Sequence, residues 1–119
     1  MSKGFPENND FSKRDLDNKK ITFVVSKFNE DIVSRLLNTT KERLLELGIN
    51  KKNINILYVP GAFEIPFAVK KSIDKYSQDA VICLGTIIRG ETSHYELISN
   101  HVFSSLANLN ISQKIPIIN

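Results

Sequence analysis

The sequence has 119 residues, of which 41% are hydrophobic and 24% are charged, and its formal net charge is +3. This length and composition predict a single globular domain with enough apolar side chains to bury a core. The basic residues are scattered and form no block interleaved with aromatic side chains, so we expect no nucleic-acid partner. No apolar run is long enough to cross a membrane and no signal or transit segment is recognisable, so we expect a cytoplasmic protein without a membrane partner.

The first 20 residues are polar and of mixed charge, with five basic and four acidic side chains. They include Gly4, Pro6 and few large apolar residues, a composition typical of disordered segments. We therefore expect a disordered tail over residues 1–20 and a folded domain over residues 21–119.

Cys83 is the single cysteine and lies within an apolar run. A lone cysteine excludes an intramolecular disulfide and is typical of proteins from a reducing compartment. Its apolar surroundings favour a small buried core residue over a nucleophile.

Apolar runs and amphipathic segments alternate along the folded domain. The apolar runs predict strands at about 21–25, 54–59, 80–84 and 115–118. The amphipathic segments predict helices at about 30–47, 66–76 and 93–109. This alternation predicts an α/β fold, with a parallel four-stranded sheet in a three-layer α/β/α sandwich joined by right-handed crossovers.

The loop after the first predicted strand contains Phe28 and Asn29. Asn29 is expected to cap the first helix, and Gly48 is expected to end it. Phe28 has two interpretations, because an aromatic side chain just after a strand can be a lid over the core or a stacking platform for a flat ligand. Position alone favours the core.

The loop after the second predicted strand runs from Pro60 to Pro66. Gly61 allows a ligand to approach the backbone closely, and Pro66 suits the first turn of a helix. Glu64 also has two interpretations, because an acid at a helix N-terminus can complement the helix dipole or bind a ligand hydroxyl.

The third loop contains a predicted helix start, since Ser93 and Glu96 have the spacing of a capping box. His94 would lie in the first turn, where the positive end of the helix dipole disfavours an imidazolium. We therefore expect a neutral imidazole that can accept a proton at about neutral pH. His101 is too far along the same helix to share a metal ion with His94, and we expect it to be structural or exposed.

All three loops follow strands, and the carboxyl ends of parallel strands lie at one edge of a sheet, so we expect the loops to converge. Together they predict a pocket for a flat, hydroxyl-rich, phosphorylated molecule, with general acid–base catalysis through His94. The sequence has no dinucleotide fingerprint, P-loop or serine nucleophile elbow. A receiver-type domain is disfavoured, because no acidic phosphoacceptor cluster follows the strands.

Three segments carry a resemblance that extends over residues 20–118. They are SKFN at 26–29, PGAFEIP at 60–66 and LGTIIRGETSHYE at 84–96. In order and spacing they resemble the signature segments of 6,7-dimethyl-8-ribityllumazine synthases. The resemblance implies a flavodoxin-like fold and a transferase that needs neither a metal nor an organic cofactor. The implied reaction is the penultimate step of riboflavin synthesis, in which 5-amino-6-(D-ribitylamino)uracil condenses with 3,4-dihydroxy-2-butanone 4-phosphate and releases phosphate and water.

The resemblance also implies roles for individual residues. Phe28 would stack on the pyrimidine ring, and His94 would shuttle protons during imine formation, phosphate elimination and ring closure. Glu91 and Thr92 would bind the phosphate end of the butanone. The ribityl chain would be held by Ala62, Phe63 and Glu64. The uracil would be contacted by Thr86, Ile87 and Ile88.

Members of this family form homopentamers or larger shells, including icosahedral capsids, and can associate with riboflavin synthase. The family also continues beyond the fourth strand into helices that carry an arginine and a lysine near the phosphate, and it often has a phenylalanine at the position of Asn119. Relative to the family, we expect the sequence to be truncated at its C-terminus. The missing cations leave open an alternative, a non-catalytic homologue that forms shells or binds pyrimidines.

Overall fold

The computed structural model describes residues 16–86, 94–113 and 115–118. The strands are β1 (Ile21–Ser26), β2 (Ile54–Val59), β3 (Ala80–Leu84) and β4 (Ile117–Ile118). The helices are α1 (Glu30–Leu47), α2 (Ile65–Lys75) and α3 (His94–Ser112). Two 3₁₀ turns, Lys51–Asn53 and Ala62–Glu64, precede β2 and α2.

The four strands form one parallel sheet in the order β2-β1-β3-β4. Strand β1 lies inside this sheet, where Val25 pairs with Tyr58 of β2 on one side and with Leu84 of β3 on the other. The predicted α/β class and parallel four-stranded sheet are confirmed, and the strand order is that of flavodoxin-like folds.

Two buried clusters lie on opposite faces of the sheet, because successive residues of a strand point to opposite sides. The cluster on one face joins strand residues to α1, through Phe23, Val25, Ile82, Val33 and Leu37. The cluster on the other face joins strand residues to α2 and α3, through Val24, Val81, Val69, Val102 and Leu106. One helix therefore covers one face and two helices cover the other, which confirms the predicted three layers.

Helix α1 ends where its sequence predicts. Gly48 has φ 113°, a left-handed conformation that glycine adopts without strain. The N–H of Gly48 donates to the carbonyl of Leu45 at 3.1 Å, and the N–H of Ile49 donates to that of Leu44 at 3.0 Å. These two bonds form a Schellman motif, which satisfies carbonyls that the helix leaves free.

The other helices also follow the predicted pattern. Pro66 lies in the first turn of α2, where its missing N–H costs no hydrogen bond. Helix α3 runs from His94 to Ser112, three residues beyond the predicted Leu109, and its predicted cap Ser93 lies outside the described residues. Across the part of the chain that the structure describes, no helix has the length and apolar content needed to cross a membrane.

The chain segment just before β1 is attached to the domain. Leu16 is partly buried against the cluster on the α1 face. The N–H of Lys20 donates to Asp79 Oδ2 at 2.8 Å, and the N–H of Asp79 donates to the carbonyl of Lys20 at 2.8 Å. The rest of the predicted tail, residues 1–15, lies outside the described residues.

Cys83 lies in the middle of β3 and is 1% exposed. Burial disfavours the thiolate and raises the pKa of the Cys83 thiol from 9.0 to about 12. Because a thiolate is the reactive form, this environment makes the side chain a core residue rather than a nucleophile.

Cys83 is expected to resist DTNB in the folded protein at about pH 8 and to react fully once the protein is unfolded in guanidinium. Since its pKa is raised on folding, its contribution to stability is complete below pH 9.0 and is lost as the pH rises towards about 12. Urea unfolding of Cys83→Ala should therefore show a shallower alkaline loss of stability than the unmodified protein. Rapid labelling of the folded protein would contradict this assignment.

Candidate active site

The sheet has one topological switch point, between β1 and β3, where the strand order reverses. In open α/β sheets, ligands bind in the crevice outside the carboxyl ends of the strands at such a point. The loops that follow β1 and β3 are therefore neighbours at this edge, and the loop that follows β2 lies on the other side of the β1 end. The predicted convergence of these loops follows from this strand order.

At Gly85 the start of the third loop packs closely against residues next to the other two loops. A Cβ atom built on Gly85 would lie 3.0 Å from Cδ1 of Ile65, 3.2 Å from Cβ of Ser26 and 3.7 Å from Cβ of Ala62. Ser26 ends β1, Ala62 begins the turn after β2, and Gly85 follows β3. Glycine is therefore required here by the close approach of neighbouring elements.

The backbone of Phe28 is held by side-chain hydroxyls. Its N–H donates to Ser26 Oγ at 3.2 Å, and its carbonyl accepts a hydrogen bond from Thr86 Oγ1 at 3.4 Å. The ring is not buried, since 55% of the Phe28 surface is exposed. Of the two interpretations, the lid over the core is wrong, and the ring is free to contact a ligand.

Asn29 occupies the predicted N-cap position of α1, but its side chain makes no capping hydrogen bond. It has φ 58° and ψ 54°, a left-handed conformation. Its Nδ2 donates instead to Thr86 Oγ1 at 3.1 Å, across the gap between the loops after β1 and β3. The prediction that this side chain caps the helix is thus wrong, because Thr86 provides a tertiary partner that the local sequence does not reveal.

The turn after β2 is closed by a reciprocal pair of hydrogen bonds. The N–H of Gly61 donates to Glu64 Oε1 at 2.8 Å, and the N–H of Glu64 donates to the carbonyl of Gly61 at 3.2 Å. This is the reach-back half of a capping box, made by a carboxylate three residues into the turn. Glu64 therefore caps the 3₁₀ turn, and its contact with a ligand hydroxyl stays a prediction.

The ring of Phe63 stacks on His101 of α3, with ring centroids 4.3 Å apart and an interplanar angle of 24°. Both residues are exposed, so the pair lies on the surface and joins the turn after β2 to α3. His101 is exposed, as the sequence predicts, but its partner Phe63 is not apparent from the sequence. The sequence feature that pointed to His101 was its spacing from His94, because residues seven positions apart lie on nearly the same helix face.

The described residues do not include every predicted site residue. Ile87, Ile88, Glu91 and Thr92 lie outside the described ranges, and so does Arg89. For His94 the structure describes the backbone, which starts α3, but not the side chain. Position 94 lies about 10 Å along the helix axis from His101, on a similar face.

A cleft of about 280 Å³ opens on the α1 side of the sheet. Its walls include Lys27, Glu30, Ser34 and Tyr58. None of the predicted site residues that the structure describes lines this cleft, but Ser26 and Lys27 do, so it opens beside the loop after β1. In the described ranges, no group of three or more His, Cys, Asp or Glu side chains is placed to hold a metal ion.

Replacing Glu64 separates its capping role from any ligand contact. Glu64→Ala should lower the free energy of unfolding by about 1 kcal/mol, because it leaves the Gly61 N–H without its partner. Glu64→Gln keeps a side-chain carbonyl oxygen and should retain most of that stability. Urea unfolding measures both changes, and an equal loss in the two variants would contradict a cap that needs only an acceptor.

Gly85→Ala should destabilise the protein by about 1–3 kcal/mol, because the new methyl group would overlap Ile65 and Ser26. Gly61→Ala is the matched control, since Gly61 has an extended backbone and a Cβ there would meet only Glu64 Oε1, at 3.3 Å. Its cost should stay below about 1 kcal/mol. Equal unfolding midpoints in urea for the two variants would show that Gly85 is not a close-packing position.

One known protein family matches nearly the whole described domain. The chain matches the 6,7-dimethyl-8-ribityllumazine synthase family over residues 18–119. The matched region contains all four strands, all three helices and the three loops that meet at the sheet edge. This match confirms the resemblance found in the loop segments. The family is one of transferases of riboflavin synthesis. The chain therefore belongs to the 6,7-dimethyl-8-ribityllumazine synthase family.

Proposed function

We propose that this protein condenses 5-amino-6-(D-ribitylamino)uracil with 3,4-dihydroxy-2-butanone 4-phosphate. The products are 6,7-dimethyl-8-ribityllumazine, phosphate and water, and the reaction is the penultimate step of riboflavin synthesis. The observation that carries the proposal is the family match over residues 18–119, which includes every loop at the switch point of the sheet.

The first loop suits the flat heterocycle. Phe28 presents an exposed ring on a backbone held by hydrogen bonds at both its N–H and its carbonyl. Aromatic rings stack favourably on other flat π systems in an offset arrangement. The adjacent start of α1 carries Glu30 and Asp31, whose negative charges disfavour a phosphate there. This loop therefore supports the proposal that Phe28 stacks on the pyrimidine and that the phosphate binds elsewhere.

The second and third loops supply the remaining contacts of the proposal. Ala62, Phe63 and Glu64 form a turn beside Gly85, which favours a ribityl chain held by backbone groups and a carboxylate. Thr86, with Ile87 and Ile88, is proposed to contact the uracil. Glu91 and Thr92, which precede α3, are proposed to bind the phosphate end of the butanone by the helix N-terminus.

The chemistry needs positioning and proton transfer. In the first step the amine of the uracil attacks the ketone of the butanone, a C–N bond forms, and water leaves as the imine is made. Phosphate then departs, and ring closure forms the second C–N bond with loss of water. A base that takes and returns protons serves each step, and His94 at the start of α3 is the proposed residue.

The proposal extends to assembly and location. Exposed apolar side chains on α2 and α3, including Phe67, Leu97 and Phe103, support contacts between copies of the chain. We propose a homopentamer or a larger shell in the cytoplasm, without a metal or organic cofactor, and with riboflavin synthase as a possible partner protein. A non-catalytic homologue that forms shells or binds pyrimidines is the alternative.

A coupled experiment tests both functions. The purified protein is mixed with both substrates, and lumazine formation is followed by absorbance, while calorimetry measures binding of the ribitylaminouracil alone. Product formation supports the enzyme. Pyrimidine binding without product supports the non-catalytic homologue. If the protein shows no binding and makes no product, both functions are contradicted.

His94→Ala is expected to lower kcat by about 10²-fold or less, because general acid–base catalysis contributes about 10²–10⁴-fold and solvent can replace part of it. In a plot of kcat against pH, the part of the pH dependence that is due to the His94 side chain should also disappear. His101→Ala is the matched control and should keep that pH dependence, since His101 stacks on Phe63. Loss of all substrate binding in His94→Ala would instead indicate a structural role.

A further inference from the structure

Asn29 joins the two loops at the switch point of the sheet through its side chain, although its position in the chain is that of a helix cap. We propose that Asn29 is a positioning residue, which holds Thr86 so that the backbone of Phe28 presents its ring in a fixed orientation to the flat substrate. This inference rests on the proposed function and deepens it, because it adds a residue to the pyrimidine-binding end of the site.

The backbone of Asn29 shows that this residue is not placed for helix capping. In the described residues it is the one non-glycine with a positive φ. Among non-glycine residues, asparagine tolerates that conformation best. The left-handed turn directs the side chain away from the free N–H groups of α1 and towards the loop after β3. Asn29 therefore gives up a local hydrogen bond and makes a tertiary one.

The hydrogen bonds then run in sequence to the aromatic residue. Asn29 Nδ2 donates to Thr86 Oγ1 at 3.1 Å, which leaves the hydroxyl hydrogen of Thr86 to donate to the carbonyl of Phe28 at 3.4 Å. The amide occupies one lone pair of the hydroxyl, and the hydrogen of the hydroxyl stays available to Phe28. Together with the bond from the Phe28 N–H to Ser26 Oγ, both polar groups of this peptide segment are held.

An exposed aromatic ring needs such support to act as a stacking platform. The Phe28 ring lacks a surrounding core, because 55% of the residue is exposed. Its direction therefore depends on the backbone from which it projects. Ordering that backbone before the substrate arrives removes part of the entropy cost of binding, which is the physical benefit of preorganisation.

The decisive variant is Asn29→Gly. Glycine keeps the left-handed conformation and is tolerated at a helix N-cap, but it removes the amide. We expect the KM for 5-amino-6-(D-ribitylamino)uracil to rise about 3–10-fold, the range that corresponds to the loss of one hydrogen bond. The kcat at saturating substrate and the thermal midpoint should change little.

Asn50→Ala is the matched control. Asn50 is an asparagine that caps, because its Oδ1 accepts a hydrogen bond from the N–H of Lys52 at 3.1 Å in the 3₁₀ turn Lys51–Asn53. This turn precedes β2, at the opposite edge of the sheet from the site. Removing the Asn50 amide should lower the thermal midpoint and leave the KM unchanged, which is the reverse of the result for Asn29→Gly.

A substitution of Thr86 tests the sequence of hydrogen bonds. Thr86→Val removes the hydroxyl and should raise the KM, as Asn29→Gly does. In a double-mutant cycle, Asn29→Gly should add little to the effect of Thr86→Val, because both break the same connection. Fully additive effects would show that Asn29 acts independently of Thr86 and would overturn the proposal.

A reporter at position 28 tests the same connection without catalysis. The chain has no tryptophan, so Phe28→Trp introduces a single fluorophore. Adding Asn29→Gly to Phe28→Trp should speed the nanosecond anisotropy decay of the indole, and adding Asn50→Ala should not. Unchanged decay together with an unchanged KM would overturn the proposal. If the unmodified protein neither binds the pyrimidine nor makes product, the proposed function fails, and the anisotropy result still decides whether Asn29 fixes position 28.

Discussion

The arrangement of the site depends on the burial and pairing of β1. All six residues of this strand are buried, and it pairs in parallel with β2 on one side and β3 on the other. Because parallel strands need crossover connections, the neighbours of β1 are each reached through a helix. Pairing on both sides places the carboxyl end of β1 between two loops that are distant in the sequence, and a site built from three loops forms at that end.

Close packing beneath the loops makes this site rigid at its base. Gly85 is closely packed, since a Cβ atom there would lie only 3.0 Å from Ile65 Cδ1 and 3.2 Å from Ser26 Cβ. Above this layer a hydrogen bond from Asn29 to Thr86 joins the loops after β1 and β3, and a reciprocal pair of bonds between Gly61 and Glu64 closes the turn after β2. The packed layer sets where the loops stand, and the hydrogen bonds set how their backbones are turned.

The polar side chains of the site mostly bind backbone groups of the protein. Ser26 and Thr86 hold the backbone of Phe28, and Glu64 holds that of Gly61. Such bonds leave the Phe28 ring exposed while fixing the peptide that carries it. The proposed condensation depends on positioning and proton transfer, and a preorganised backbone is one physical source of positioning.

Local sequence determined the elements of this protein and much of its site. Apolar runs predicted the strands, Gly48 and Pro66 predicted helix boundaries, and three loop segments indicated the family, because periodicity, caps and motifs are properties of neighbouring residues. Whether Phe28 is buried and where the side chain of Asn29 points were decided only by the tertiary structure. The direction of the Asn29 side chain depends on Thr86, which lies 57 positions away and becomes its neighbour only when β1 and β3 pair. A hydrogen bond across the sheet edge can override a local capping preference, and a sequence read residue by residue contains no signal for that choice.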